Sequence, residues 1–161
     1  MRGNKHSFKY AVEAIKLMAA EKDLIFDVVT CVNRRSIKTL DQLKEMLIGL
    51  GVKQWRLFTI FPAGRAANDE ELKLSSEEHR QLMEFIKRNR KEDKRIKINY
   101  CCEGFMGNYE GDIRDHFFSC QAGISVGSVL IDGSIGACPS IRADYHQGNI
   151  YKDAFWDVWQ N

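Results

Sequence analysis

Two cysteines and one glycine form the most distinctive chemical pattern in this sequence. Twelve residues separate Cys120 from Gly133, and four separate Gly133 from Cys138. Asp132-Gly133 lies between two short apolar runs, which predicts a β-hairpin with a type I′ turn and positive φ at both central residues. An antiparallel hairpin returns the chain to where it began, so we expect the two thiols to approach each other. Paired thiolates suit an iron–sulfur cluster or zinc; two unrelated, partly buried thiols are the alternative.

The other three cysteines give weaker signals. Five cysteines in 161 residues are an odd number in a chain that is not a small secreted scaffold, which favours a reducing compartment over a disulfide framework. Cys31 lies within an apolar strand-like run and is expected to be a buried, inert thiol. Cys101 and Cys102 are adjacent and would point to opposite sides of an extended chain, so we expect structural roles for both.

Composition and charge argue against several functions. The net charge of +2 does not favour nucleic acid as a partner, and no apolar run approaches the roughly 20 residues that a membrane span needs. The basic run over residues 87–97 is interrupted by Glu92 and Asp93 and lacks aromatic residues, which is typical of a solvated helix end. The four histidines have no metal-ligand spacing, and no Gly-x-Ser-x-Gly motif is present. Without a signal peptide, the expected location is the cytoplasm.

The first hundred residues predict alternating helices and strands. Capping boxes at Thr39 and Ser75 mark two helix starts, and Pro62 ends one strand. The alternation predicts a mostly parallel sheet with right-handed crossovers. Ligands bind such sheets at the carboxyl ends of the strands, here residues 30–33 and 61–65. The predicted helices cover residues 8–20, 39–51 and 75–86, and the predicted strands cover 24–32, 55–61 and 95–100.

The pattern changes after Cys101. A glycine-rich irregular stretch leads to the two runs of the predicted hairpin, residues 124–131 and 134–138. A loop is expected over residues 145–149 and a short helix over 151–159. The sequence begins and ends abruptly within helix-like patterns, so we expect it to be part of a larger protein.

Several of these segments resemble radical S-adenosylmethionine enzymes with a SPASM or twitch C-terminal domain. The Cys120, Gly133 and Cys138 spacing looks like the opening of the cysteine motif of those domains. The resemblance covers nearly the whole chain, and the nearest likeness is to peptide-modifying maturases of the coenzyme PQQ synthesis protein E kind. It rests on residues 117–123, 132–139 and 148–150 in the second part of the chain, and on residues 24–33 and 55–66 in the first.

The resemblance implies an α/β fold in two parts. Residues 1–102 would be the C-terminal part of a partial (β/α)6 parallel barrel. Residues 103–161 would begin the auxiliary-cluster domain as a small β-hairpin module with a short helix. The implied activity is the modification of a peptide or protein through a 5′-deoxyadenosyl radical, with an electron donor protein as a further partner.

The resemblance also implies cofactors and site residues. Phe61, Gly64 and Arg65 would border S-adenosylmethionine, and Cys120 and Cys138 would ligate an auxiliary 4Fe-4S cluster. The CxxxCxxC motif of the catalytic 4Fe-4S cluster and the later SPASM cysteines are absent from this sequence, so the chain alone is expected to be inactive and no catalytic residue is assigned. The alternative is a self-contained, non-catalytic α/β binding module with zinc or no metal.

Overall fold

A computed structural model describes residues 5–62, 64–101, 103–138 and 145–161, which form two compact units. The first unit ends at Phe118 and the second spans Ser119–Asn161. The predicted boundary at residue 102 between two family domains stays a prediction. None of the helices in the described part of the chain combines the length and apolar character that crossing a membrane requires.

The first unit is a parallel sheet with helices between its strands. The strand order is β1-β2-β3, and all neighbouring pairs are parallel. Thr30 lies beside Leu57, and Leu57 beside Tyr100, so the three carboxyl ends meet at one edge. The predicted parallel sheet is confirmed, whereas a partial barrel stays a prediction. The elements are α1 (Ser7–Ala20), β1 (Val28–Val32), α2 (Leu40–Gly49), β2 (Gln54–Thr59), α3 (Ser76–Glu92), β3 (Lys97–Tyr100) and α4 (Glu110–Ile113).

One face of this sheet and the inner faces of α2 and α3 form the hydrophobic core. Trp55 and Leu57 alternate with polar residues along β2 and are fully buried, as a strand with one covered face requires. Trp55 packs edge-on against Phe85 of α3, with ring centroids 6.0 Å apart, and its indole Nε1 donates to Thr30 Oγ1 at 2.9 Å. The long helix α3 therefore packs on the sheet whose carboxyl edge is the predicted binding site.

The first strand is shorter than the sequence suggested. The prediction began at Leu24, but β1 begins at Val28, where pairing with Trp55 of β2 starts. Ile25 is 87% exposed. The apolar run ahead of Val28 has no strand partner, so its β-forming residues alone do not extend the sheet.

The two predicted capping boxes have opposite outcomes. At the start of α3, Ser75 Oγ accepts from the Glu78 amide and Glu78 accepts from the Ser75 amide, so this box is confirmed. The box at Thr39 is wrong. Ser36–Thr39 already forms a 3-10 turn, and Thr39 Oγ1 donates to the Ser36 carbonyl at 3.0 Å instead of capping α2.

A buried lysine joins α2 to the end of α3. Lys44 is only 8% exposed, and its Nζ donates to Asn89 Oδ1 at 2.7 Å and lies 3.0 Å from Asp93. Asp93 also binds Arg95, and the Arg95 and Lys44 side chains hold the pKa of Asp93 well below its usual range. This pairing satisfies an ammonium group that burial would otherwise disfavour.

The basic run at the end of α3 is largely paired. Arg90 and Lys97 both bind Asp115, at 2.9 and 2.7 Å, and Lys97 is the main reason that the pKa of Asp115 is lowered to about 2. Arg90 also donates to the Ile98 carbonyl at 2.7 Å. The expectation of a merely solvated helix end therefore misses contacts that hold this segment to β3.

The second unit is a small antiparallel sheet closed by a helix. It contains β4 (Ser128–Val129), β5 (Ser134–Gly136), β6 (Gly148–Asn149) and α5 (Phe155–Gln160), in the order β4-β5-β6. Residues 145–149 were expected to be a loop, but β6 pairs with β5, because the Gln147 amide donates to the Ile135 carbonyl and continues the ladder. Phe155 and Trp159 stack along α5, with ring centroids 6.1 Å apart.

The turn between β4 and β5 is not the predicted type I′ turn. Among the described residues only glycines have positive φ, so Asp132 does not, whereas Gly133 has φ +83°. The Gly133 amide donates to the Leu130 carbonyl, and the Leu130 amide donates to the Ser134 carbonyl, both at 2.9 Å. This is a three-residue loop with glycine in the left-handed position. The Asp132 carboxylate accepts from the Ser134 amide at 3.0 Å, which suits a right-handed Asp132.

Candidate functional sites

The three residues expected to border S-adenosylmethionine follow β2 at the carboxyl edge of the parallel sheet. β2 ends at Thr59, and Phe61 lies just beyond it with 62% of its surface exposed, so it is not a core residue. Gly64 has φ +57° and opens the 3-10 turn Gly64–Ala66, with Arg65 at its centre. The left-handed backbone at Gly64 explains why glycine suits this position. An exposed aromatic ring beside such a turn could contact a ligand at the sheet edge.

The carboxyl end of β1 is occupied by a tight turn. Asn33 is 1% exposed, and its Oδ1 accepts from the amides of Arg35 and Ser36 at 2.9 and 3.1 Å. The backbone amide of Asn33 donates to Ser36 Oγ at 2.9 Å. Asn33 therefore organises the loop that leaves β1.

A polar network that the sequence analysis missed lies at the ends of β2 and β3. The Glu103 carboxylate accepts from the Thr59 amide at 2.9 Å and from the Thr59 hydroxyl at 2.9 and 3.0 Å. The Tyr100 hydroxyl also donates to Glu103. His79, in the first turn of α3, lies with Nε2 3.2 Å from the Tyr100 oxygen. Four side chains, from β2, β3, α3 and the segment after β3, thus form one hydrogen-bonded chain.

The protonated phenol of Tyr100 is the form that this network stabilises. Tyr100 is 3% exposed. Burial raises the pKa of its hydroxyl well above the usual range, and the hydrogen bond to Glu103 raises it further. The guanidinium of Arg114, 5.6 Å from the centre of the Tyr100 ring, acts in the opposite direction and lowers this pKa, but burial and Glu103 outweigh it. Tyr100 is therefore held as a hydrogen-bond donor to Glu103.

The face of the sheet opposite the core carries polar and thiol side chains. Cys31, expected to be buried, is exposed, because it alternates with the buried Val32 and shares its face with Val29. Arg56, on the same face of β2, binds Asp27, which is the main reason that the pKa of Arg56 is raised. Arg56 Nη1 also donates to Cys101 Sγ at 3.9 Å, and Cys101 is buried. Cys102 lies outside the described residues.

In the second unit, the predicted thiol ligands lie before β4 and after β5. Cys120 is exposed, and Cys138 is half-buried in a groove of about 240 Å³ that Tyr145 and His146 also line. After Cys120 the chain forms a turn in which the Gln121 carbonyl accepts the amides of residues 124–126 at 3.1 Å.

This turn lies against the segment that leads to Cys138. A Cβ placed on Gly123 would lie 3.7 Å from that of Ala137, in ordinary contact. Gly123 is three residues from Cys120, and Ala137 immediately precedes Cys138. The backbone therefore brings the two cysteine-bearing segments together.

These thiols fit at most half of a four-ligand cluster site. In residues 5–62, 64–101, 103–138 and 145–161, no group of three or more His, Cys, Asp or Glu side chains could hold a metal ion. A cubane cluster takes four thiolates, and the described residues of the second unit offer two, Cys120 and Cys138, on segments that contact each other at Gly123 and Ala137. The positions of Cys120 and Cys138 are compatible with two ligands of a cluster site, and the described residues do not supply the other two.

Comparisons with known proteins identify the fold. No family model matches the chain, and no curated protein matches it. Two crystal structures of Streptococcus suis SuiB match 95% of it. One has a TM-score of 0.63 and 14% identity, and the other, bound to S-adenosylmethionine, has a TM-score of 0.61 and 11% identity.

At this level of identity the similarity shows a shared fold. The chain has the mixed α/β fold of part of SuiB. The chain spans 38% of the length of one SuiB chain and 37% of the other. The α/β class expected from the sequence, with a parallel sheet followed by an antiparallel one, is confirmed at this level.

Proposed function

We propose that the chain is part of a radical S-adenosylmethionine enzyme that modifies a peptide or protein. In this proposal residues 1–102 are the C-terminal portion of its partial barrel, and residues 103–161 begin a SPASM or twitch domain. The observation that carries the proposal is the match to SuiB over 95% of the chain, which includes both the parallel and the antiparallel sheet. The cysteine spacing around the β4–β5 turn supports the auxiliary domain, and the maturase subtype rests on sequence likeness alone.

The roles proposed for individual residues follow from their positions. Phe61, Gly64 and the backbone of Arg65 would border S-adenosylmethionine at the carboxyl edge of β2. Cys120 and Cys138 would supply two ligands of an auxiliary 4Fe-4S cluster. The catalytic 4Fe-4S cluster, whose ligands are not in this sequence, would supply the electron that cleaves S-adenosylmethionine to the 5′-deoxyadenosyl radical. The residues described here would bind and orient ligands.

Iron incorporation tests the role of the two thiols. The full 161-residue chain is incubated anaerobically with ferrous iron and sulfide, and bound iron and sulfide are measured per chain. We expect the Cys120→Ser/Cys138→Ser double variant to lose most of both. Cys31→Ser, which removes an exposed thiol from the first unit, is the matched control and should retain them. Equal incorporation by all three proteins would contradict the auxiliary-cluster role.

Ligand-observed NMR with S-adenosylmethionine tests the sheet edge. We expect Phe61→Ala to reduce saturation transfer to the ligand, because this exposed ring lies directly beyond β2. Phe117→Ala removes another exposed ring, 74% exposed, from a segment that does not directly follow a strand, and should leave the transfer unchanged. Equal transfer in both variants would remove Phe61 from the site.

A self-contained binding module is the second candidate, and the half-site geometry of the thiols is the observation that favours it. Two thiolates suit zinc shared with other ligands as well as they suit iron. Zinc uptake that depends on Cys120 and Cys138, without uptake of iron and sulfide, would support this candidate. A CxxxCxxC motif encoded upstream of Met1 in the same reading frame would support the radical enzyme.

A further inference from the structure

His146 lies beside the segment of chain that leads to Cys138. β5 and β6 are antiparallel neighbours, and the Gln147 amide, just before β6, donates to the Ile135 carbonyl at 2.9 Å. The chain that enters β6 therefore runs alongside the chain that leaves β5. A Cβ placed on Gly136 would lie 3.8 Å from His146 Cδ2. The sheet thus brings together a cysteine and a histidine that seven residues separate in the sequence.

The side chains of His146 and Cys138 line the same groove, which has a volume of about 240 Å³. Gly136, which has no side chain, lies in the wall of this groove and leaves room for the imidazole ring beside it. His146 is exposed, and it makes no hydrogen bond or ion pair with another residue of the described ranges. No protein group in those ranges therefore occupies its ring nitrogens.

The groove offers a thiol and an imidazole in an otherwise uncharged lining. The remaining described residues of the lining are apolar or carry hydroxyl or amide groups: Ser128, Leu130, Gly136, Ala137, Tyr145 and Gln147. Among these residues no lysine or arginine repels a cation, and no carboxylate supplies the hard oxygen ligands that calcium and magnesium need. Thiolate and imidazole together suit zinc, and imidazole also replaces thiolate on iron in Rieske clusters.

We propose that His146 is a metal ligand beside Cys138, so that the metal site of the second unit is a mixed thiolate–imidazole site. This inference rests on the proposed function in one respect, the role of Cys138 as a ligand, and it adds a nitrogen donor that the cysteine motif does not contain. When the metal binds, the Cys138 thiol loses its proton and a ring nitrogen of neutral His146 donates its lone pair to the same ion.

The proposal concerns this pair of donors. Two donors in one groove agree with the finding that the described residues contain no group of three metal-ligating side chains. Cys120, the other proposed thiolate, would have to approach the groove when the ion binds.

Cobalt(II) is the first probe, because a thiolate ligand gives it a near-ultraviolet absorption and its visible bands depend on the nitrogen and sulfur donors. The full 161-residue chain, reduced and anaerobic, is titrated with Co²⁺. We expect His146→Ala to weaken binding at least about tenfold and to shift the visible bands, because removing even a residue that only orients a ligand typically costs that much metal affinity.

His116→Ala, which removes an exposed histidine of the first unit, is the matched control and should leave affinity and spectrum unchanged. Equal affinity and equal spectra for His146→Ala and the unmodified chain would overturn the proposal. The absence of a thiolate absorption in the unmodified chain would also overturn it.

NMR of the chain labelled with ¹⁵N-histidine identifies the ligand directly. Zn²⁺ should shift one ring nitrogen of His146 and leave those of His116 unchanged, and Cys138→Ser should abolish the shift. An unshifted His146 in the unmodified chain would overturn the proposal.

This inference and the proposed function can fail separately. If iron and sulfide uptake depends on Cys120 and Cys138, and His146→Ala changes neither that uptake nor Co²⁺ binding, the cluster role stands and the ligand role of His146 is wrong. If His146→Ala weakens Co²⁺ and Zn²⁺ binding in a chain that takes up no iron and sulfide, the ligand role of His146 stands and the cluster role is wrong.

Discussion

Gly133, the central residue of the Cys120–Cys138 motif, is required by two independent features of the second unit. Its φ of +83° lies in the left-handed region, which costs a residue with a Cβ about 1–2 kcal/mol. A Cβ there would also lie 2.7 Å from the Tyr151 ring and 2.8 Å from Asn149 Oδ1. Asn149 cannot easily move, because its side chain donates to the Asp132 carbonyl at 3.1 Å and accepts from the Tyr151 amide at 3.0 Å.

We therefore expect Gly133→Ala to destabilise the second unit by the backbone cost plus an overpacking cost of about 1–3 kcal/mol, or ~2–5 kcal/mol together. Gly123→Ala is the matched control, since Gly123 has φ +73° but its Cβ would make only an ordinary 3.7 Å contact with Ala137. This control should lose about 1–2 kcal/mol, the backbone cost alone.

Hydrogen exchange measured by mass spectrometry separates the two costs. Peptides covering β4, β5 and α5 report on the second unit, and peptides from α3 serve as an internal reference in the first. Each 1.4 kcal/mol corresponds to about a tenfold faster exchange, so an extra cost of at least ~1 kcal/mol should make Gly133→Ala accelerate exchange at least ~5-fold more than Gly123→Ala. Equal acceleration in the two variants would refute the packing argument and leave only backbone conformation to explain the glycine.

Three further predictions concern the first unit. Lys44→Ala should lower the free energy of unfolding in urea by about 1–3 kcal/mol, because it leaves the buried Asn89 Oδ1 without its donor while Asp93 keeps Arg95, whereas Lys53→Ala, on the surface, should cost under ~0.5 kcal/mol. The Asp115 carboxylate stabilises the fold above pH ~4, and this stabilisation is lost as the pH falls through its folded pKa of about 2. Asp115→Asn should abolish it, and since this side chain is 35% exposed we expect the loss in free energy of unfolding to be at most ~1 kcal/mol. An unchanged acid unfolding curve would contradict this prediction. Ser75→Ala should cost about 1 kcal/mol in the same urea assay and Thr39→Ala clearly less, because only Ser75 caps its helix; equal losses would contradict that difference.

The features that sequence reasoning predicted correctly depend on short stretches of chain. The capping box at Ser75 needs only Glu78 three residues later, and the helices follow from apolar residues at helical spacing. Two errors of local structure, the capping box at Thr39 and the type I′ turn at Asp132-Gly133, arose where the neighbouring chain changed the outcome. A 3-10 turn preceding α2 occupied Thr39, and the bond from the Ser134 amide to Asp132 favoured a different turn.

The polar network was missed for a different reason. Its members are far apart in the chain: Thr59 and Glu103 are 44 positions apart, and His79 and Tyr100 are 21 positions apart. None has a spacing that predicts a partner, whereas Cys120 and Cys138 are linked by a turn whose glycine is visible in the sequence.

The register of the parallel sheet, which periodicity does not determine, brings the network together. It places Leu57 beside Tyr100, so that Thr59 and Glu103 meet at the same edge. The useful general rule is that parallel strands deliver the residues at their carboxyl ends to one edge of the sheet. Applied to residues 100–103 as well as 61–65, that rule selects Tyr100 and Glu103. His79 still requires the structure, since its contact depends on how the first turn of α3 packs against the end of β3.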